Sequence, residues 1–211
     1  MASASAKLPR PLIDTATLAD RLADPNLRIF DCTMHLAPLP DNSGQQVTSG
    51  EADYGKGHIP GAAFIDLARD LSDTASPFRF SALGPEAFAD AAGRLGIGDG
   101  AQIVLYDAGY NAWAARVWWM LKAYGFDNAT VLDGGLIKWR KEGRPLETKP
   151  VTHPPAKFAA RPRPGFFADK DRVAGAIGAP DVRIVNALSP EQHAGKSGVH
   201  YGRAGRIPGS C

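Results

Sequence analysis

Gly57-His-Ile-Pro-Gly-Ala62 and Gly205-Arg-Ile-Pro-Gly-Ser210 are two versions of one turn. Each follows a similar apolar segment: Leu27-Arg-Ile-Phe-Asp31 resembles Val182-Arg-Ile-Val-Asn186. Arg28 and Arg183 stand 155 residues apart, Gly57 and Gly205 148 apart, so the copies differ by seven residues in the loop between. Self-similarity of this kind marks a repeated structural unit. The first copy continues for about 85 residues past its Ile-Pro-Gly turn, whereas the second stops one or two residues after it. The expected organisation is therefore a whole domain, a linker, and the opening of a second domain that is cut short.

The residues between the copies alternate between strand and helix periods. Arg28-Ile-Phe-Asp31 and Ala62-Ala-Phe-Ile65 read as short strands. Pro85 opens a helix in which Phe88, Ala91, Ala92 and Leu95 share one face, and Gly96, Gly98 and Gly100 end it. Gln102-Ile-Val-Leu-Tyr106 is the strongest strand, followed by a turn at 107–111. From Asn111 the period is helical again, with Trp113, Val117, Met120, Leu121 and Tyr124 on one face. Thr130-Val-Leu132 reads as a strand and 136–142 as a short helix. This alternation predicts an α/β fold around a mostly parallel sheet flanked by helices. Residues 144–167 carry six prolines, which favours an extended linker. A helical pattern over 168–177 and a strand at Val182-Arg-Ile-Val185 follow. The expected boundaries are 12–143 for the first domain, 144–167 for the linker and 168–211 for the start of the second.

Composition excludes several classes. The chain has 211 residues with 24 basic and 22 acidic side chains, a net charge of +2 that gives no reason to expect nucleic acid as a partner. A mean hydropathy of -0.20 and the lack of an apolar run near 18 residues argue against a membrane span. Met1-Ala-Ser-Ala-Ser-Ala-Lys7 has no apolar core of the kind a secretory signal needs. Two cysteines, Cys32 and Cys211, make neither a disulfide framework nor a cysteine-rich zinc site, so a cytoplasmic setting is expected.

Four features together resemble the rhodanese family, in particular its two-domain sulfurtransferases of the thiosulfate and 3-mercaptopyruvate type. They are Gly57-His-Ile-Pro-Gly-Ala62; Tyr106-Asp107 followed by Ala114-Ala-Arg-Val-Trp-Trp-Met-Leu121; Val131-Leu-Asp-Gly-Gly135 with Trp139; and the repeat itself, with Leu188-Ser-Pro-Glu-Gln192 after its first strand. The resemblance implies a rhodanese-like fold and transfer of a sulfane sulfur from a small anionic donor to a thiol or cyanide acceptor, through a cysteine persulfide. It implies no cofactor and no metal. The nucleophile needs a low-pKa thiolate ringed by backbone N–H groups at a helix N-terminus. In two-domain members that cysteine belongs to the second repeat, on the loop after the strand equivalent to Gln102–Tyr106. In the first repeat of this chain the position is Asp107, which cannot hold a persulfide. The 211-residue chain alone is therefore expected to be inactive, its catalytic cysteine lying in the missing part of the second domain. The alternative is a non-catalytic rhodanese-like module that binds an anion or a partner protein.

The resemblance places Arg116 in the cleft between domains, binding the anionic donor; the competing role is an ion pair with a local carboxylate such as Asp107. Lys122 stands where relatives often have arginine, a point charge in place of a fork. His58 is the candidate for proton-transfer support, with Asp53 as a possible carboxylate partner; its competing role is to brace the Ile-Pro-Gly turn. Cys32 reads as a buried structural thiol and Cys211 as an unactivated one. Gly96-Ile-Gly-Asp-Gly100 precedes a strand and reads as a turn rather than a phosphate loop. Trp113, Trp118, Trp119 and Trp139 read as core, and His153, His193 and His200 lack metal-ligand spacing.

Overall fold

A computed structural model describes residues 10–41, 44–196 and 204–211. His200 lies outside the described residues. In chain order the elements are β1 (Leu12–Ile13), α1 (Thr15–Ala19), β2 (Leu27–Asp31), β3 (Met34–Pro38), β4 (Gln45–Ser49), α2 (Glu51–Tyr54), β5 (Ala62–Phe64), α3 (Leu67–Asp70), α4 (Pro85–Arg94), β6 (Gln102–Tyr106), α5 (Ala112–Ala123), β7 (Ala129–Leu132), α6 (Gly135–Lys141), α7 (Lys170–Ala176) and α8 (Pro190–His193). They fall into two compact units, one comprising residues up to 34 and 49–163, the other 35–48 and 164–211.

The first unit is built on a five-stranded parallel sheet in the order β1-β7-β6-β2-β5. Apolar, largely β-branched runs such as Ile103-Val104-Leu105 suit strands buried on both faces, and all three side chains are fully buried. The Phe88, Ala91, Ala92 face of α4 is buried, as are Val117, Met120 and Leu121 of α5. Leu18, Ile29, Val104, Tyr106, Leu132, Leu136 and Trp139 belong to one core cluster. The α/β fold, with a mostly parallel sheet flanked by helices, is the one the alternating periods predict.

The proline-rich stretch is extended, as its composition requires, but residues 144–163 lie against the first unit instead of spanning free. Glu147 pairs with His58 in an antiparallel bridge, Ala156 N donates to the Gly93 carbonyl and Arg161 N to that of Tyr124. Phe158 is buried against Phe88 and Phe126. Gly98 permits this approach: a Cβ there would meet the Lys157 carbonyl oxygen at 2.4 Å. The strap is pinned at its end by Arg163, whose Nη1 and Nη2 donate to the two Asp127 oxygens at 2.9 and 2.6 Å, with Lys122 Nζ at 2.7 Å from Oδ1.

Those hydrogen bonds, Arg163's foremost, hold the Asp127 carboxyl well below the usual carboxylate range. A carboxylate depressed in the folded state stabilises above its unfolded pKa of about 4 and loses that contribution as pH falls towards its folded value. The pair is about a third exposed, so solvent screens it. Asp127→Asn is expected to cost about 1 kcal/mol at pH 7. In urea melts that difference should shrink between about pH 5 and pH 2; a difference independent of pH would contradict it.

In the second unit α7 covers most of the predicted 168–177 helix, and α8 carries a capping box from Ser189 and Gln192. Residues 182–186 do not form the predicted strand among the described residues. They are paired on one side only, Cys211 N donating to the Ile184 carbonyl and Asn186 N to that of Cys211. This sets Val185 opposite Cys211. It is the register of Phe30 opposite Ala63 in the first unit, so the sequence repeat extends to the hydrogen-bonding pattern.

Candidate functional site

Chain direction across the sheet reverses between β2 and β6. Beyond β2 lies β5, and beyond β6 lie β7 and β1. In open parallel sheets the crevice at the carboxyl ends of such strands is where ligands bind. Asp107 occupies this place, one residue past β6 and fully buried. Its Oδ1 accepts from Gly109 N at 2.8 Å and Asn111 N at 2.9 Å; its Oδ2 accepts from Trp113 N at 3.0 Å and Ala114 N at 3.1 Å. Four backbone donors thus converge on one carboxylate, at the amino end of α5, where unpaired N–H groups and the helix dipole favour negative charge.

Local sequence explains the loop. Asn111, in the left-handed region at φ 60°, turns the chain into α5 while its Nδ2 donates to the Leu132 carbonyl at 3.1 Å. Gly135 closes it from the other side: its backbone is left-handed (φ 53°), and a Cβ would sit 2.5 Å from the Asp107 carbonyl oxygen and 2.6 Å from Asn111 Oδ1. The Asp-Gly-Gly turn after β7 is therefore part of the cradle, and Leu136 N donates to the Asp107 carbonyl.

A second carboxyl, Asp31, ends β2 and is almost fully buried. It accepts from Thr33 N at 2.9 Å, and the Thr33 hydroxyl that donates to it at 2.5 Å in turn accepts from Ala108 N at 2.9 Å. Burial pushes its pKa up, with a small contribution from Asp107. Asp31 and Thr33 are the site residues that the sequence reasoning missed; a polar residue closing an apolar strand, Ile-Phe-Asp31, was the available signal.

Cys32 lies beside them with no exposed surface. Desolvation first, then the Asp31 and Asp107 charges, push its thiol well above the ordinary value. That is the reverse of what a nucleophilic thiol needs. Cys211 is exposed, its Sγ 3.8 Å from the Ile184 carbonyl oxygen.

Arg116 projects from α5, half-buried. Its Nη2 donates to the Phe80 carbonyl, its Nε is buried with no partner, and desolvation lowers its pKa. It forms no ion pair among the described residues, because Asp107 is satisfied by backbone donors. Lys122 is engaged by Asp127 and lies 5.7 Å from the centre of the Trp118 ring, so it is committed to structure.

His58 is fully buried. Its ring stacks on Tyr54 at 3.8 Å, and its Nδ1 lies 2.9 Å from the Tyr54 carbonyl oxygen. Nε2 faces Glu147 Oε1 at 3.6 Å, beyond hydrogen-bond reach, and that oxygen accepts from Gly61 N at 2.6 Å. The carboxylate facing His58 is thus Glu147, from the strap; Asp53 instead pairs with Lys56 at 2.7 Å.

The tryptophans divide: Trp139 is fully buried and donates to the Pro145 carbonyl, Trp118 donates to that of Ala129, Trp113 lies tilted against the Phe80 ring, and Trp119 is 42% exposed. His153 Nε2 lies 3.3 Å from the Ile29 carbonyl oxygen and His193 Nε2 3.1 Å from that of Ser210. Among the described residues no three His, Cys, Asp or Glu side chains group as a metal site, and no helix is long and apolar enough to cross a membrane.

Comparison with known proteins agrees with this geometry. Residues 14–142 match the rhodanese-like domain family. The chain is 35% identical over 170 residues to the human 3-mercaptopyruvate sulfurtransferase, covering 78% of this chain and 54% of that one. It is 33% identical over 157 residues to the thiosulfate sulfurtransferase of Cricetulus griseus, covering 72% and 50%. It therefore spans about half the length of these relatives. The crystal structure of SseA from Escherichia coli, described as a 3-mercaptopyruvate sulfotransferase of rhodanese fold, superposes with a TM-score of 0.82 at 30% identity over 96% of this chain and 74% of that one. A parallel sheet with an anion cradle at its switch point, in a sequence related along most of its length to these sulfurtransferases, makes the chain a member of the rhodanese family.

Proposed function

We propose that the chain serves a sulfurtransferase that moves a sulfane sulfur from thiosulfate or 3-mercaptopyruvate to a thiol or cyanide, in the cytoplasm, where its two unpaired thiols stay reduced. In the thiosulfate reaction a cysteine thiolate attacks the outer sulfur. The S–S bond breaks, sulfite leaves, and the persulfide then gives its outer sulfur to the acceptor, returning the thiolate. The attacking cysteine lies outside residues 1–211, in a completed second repeat at the position matching Asp107. Residues 12–143 are the non-catalytic repeat, 144–167 the connection and 168–211 the opening of the catalytic one. Arg116 holds the donor anion by charge-assisted hydrogen bonds. His58, which has no exposed surface, supports proton transfer without touching the donor, the facing carboxylate being Glu147 at 3.6 Å.

The observation that carries this reading is the cradle at 107–114: it has the donors a persulfide needs, and a carboxylate fills it. Neither Cys32 nor Cys211 has such surroundings among the described residues.

The test compares the 211-residue chain with one that continues through a completed second repeat, measuring thiocyanate release from thiosulfate and cyanide and pyruvate release from 3-mercaptopyruvate. The shorter chain should match a thiol control and the longer should turn over. In the longer chain Arg116→Ala should weaken transfer about ten- to a hundred-fold, mainly in KM. Turnover by the shorter chain that disappears with Cys32→Ser would make Cys32 the nucleophile. Silence of the longer chain with both donors would favour a non-catalytic anion- or protein-binding module.

A further inference from the structure

Arg116 is an incompletely satisfied cation. One guanidinium nitrogen is used by a neutral carbonyl, Nε is buried without a partner, and no carboxylate pairs with it among the described residues. The residue that supplies the carbonyl is itself unusual. Phe80 has φ 58°, and it and Asn111 are the two non-glycine residues in the left-handed region among those described. A bulky aromatic there is disfavoured by the clash of its Cβ with the backbone, so the conformation persists only where its surroundings over-determine it.

Those surroundings are visible. The loop that carries Phe80 is closed at its base by Asp73 N donating to the Ser81 carbonyl at 2.9 Å and by the Ser72–Ala82 bridge. Ser76 Oγ and Ser81 Oγ share a hydrogen bond of 2.7 Å across it. The Phe80 ring packs on Trp113, 5.1 Å between centroids. Trp113 is one of the residues whose N–H binds Asp107. One short loop therefore touches both the arginine and the first turn of α5.

We propose that Phe80 is a positioning residue for Arg116: its left-handed backbone turns the Phe80 carbonyl onto Nη2 and holds the guanidinium ready for an oxyanion sulfur donor. A carbonyl orients the cation without neutralising it, whereas a carboxylate would compete with the donor. This rests on the reading of Arg116 as the donor-binding cation. It adds that the site depends on a backbone conformation at position 80, not on the identity of its side chain.

The experiment titrates thiosulfate into the ¹⁵N-labelled 211-residue chain and follows the Arg116 Nε–H signal by NMR. The variants are Phe80→Gly, which keeps the left-handed conformation without penalty, and Phe80→Pro, whose ring fixes φ near about −65° and turns the carbonyl away. Both lose the ring on Trp113, so packing alone would affect them equally. Phe80→Gly should bind thiosulfate within about threefold of the parent, and Phe80→Pro about tenfold or more weaker, the loss of one hydrogen bond to a charged group. If Phe80→Pro does not fold, Phe80→Val takes its place, because a β-branched residue disfavours positive φ; weaker binding than Phe80→Gly is again expected. Equal binding by Phe80→Gly and the Pro or Val variant would overturn the positioning role and leave Arg116 as the donor site. An Arg116 signal that does not move with thiosulfate in the parent chain would overturn both.

Discussion

Asp107→Ala is expected to destabilise the first unit by about 3–5 kcal/mol, because it leaves four inward-pointing N–H groups without their acceptor. The individual hydrogen bonds do not add, since water can enter the space and the first turn of α5 can fray. Even the lower figure should bring the thermal midpoint down by about 10 °C for a domain of this size. Asp107→Asn keeps one acceptor oxygen but aims an NH₂ at the remaining donors, so it should recover less than half. What separates an anion cradle from an ordinary buried residue is rescue. Thiosulfate or sulfate should raise the melting temperature of Asp107→Ala more than that of the parent, as a ligand that binds only the folded state must. A variant that melts within about 1 kcal/mol of the parent would show that the four donors find other partners.

On the proposed reading, the cradle bears on why the first repeat would carry no chemistry. A site with four converging donors is costly when empty, and a thiolate satisfies it only while it stays ionised. Here a buried carboxylate accepts from backbone on both oxygens and fills it. Asp107 thus ties the loop after β6 to the first turn of α5 and caps that helix. Arg116 does not pair with Asp107; its Nη2 donates to the Phe80 carbonyl instead.

How far the sequence revealed this depended on whether the signal was local. Gln102–Tyr106, the helix from Pro85 and the α5 face from Trp113 to Tyr124 were legible because apolar period and burial coincide there. The short elements α2 and α3, and the pair β3 and β4, left little trace. Four- and five-residue segments with mixed polarity carry too little apolar period to read, and they lean on contacts such as the Tyr54 hydroxyl of α2 donating to the Ala62 carbonyl. The proline-rich stretch read as extended, and is. Its docking was not legible, because it depends on Gly93 and Gly98 leaving room for backbone, and on Asp127 meeting Arg163 36 residues away. At the site, Asp107 and Arg116 could be named from the resemblance. Phe80 and Glu147 could not, since they enter through backbone geometry and long-range pairing, and Asp31 left only the polar end of an apolar strand as its signal.

The largest contrast within the chain is expected in hydrogen exchange. Amides of β6 should exchange only through global unfolding: the strand is bonded on one side to β2 over five registered pairs and on the other to β7, with Ile103, Val104 and Leu105 fully buried. The segment 182–186 has the register of β2 but, among the described residues, only the neighbour that corresponds to β5. Its Asn186 amide and Ile184 carbonyl pair with the backbone of Cys211. Val185 is 73% exposed, and neither α7 nor α8 contains a buried residue. Without a β6 equivalent there is little apolar burial to oppose the entropy of opening. Segments of this kind open locally at a small fraction of the global free energy. The Asn186 and Cys211 amides should therefore exchange at least about a thousandfold faster than those of Val104 and Leu105, a gap of about 4 kcal/mol. The measurement belongs at a concentration where the chain is monomeric, because a second copy could cover the open side of 182–186 and mask the difference. Equal protection of the two segments in the monomer would mean that the second unit is complete without another strand, and the proposal that its catalytic half lies beyond residue 211 would lose its physical basis.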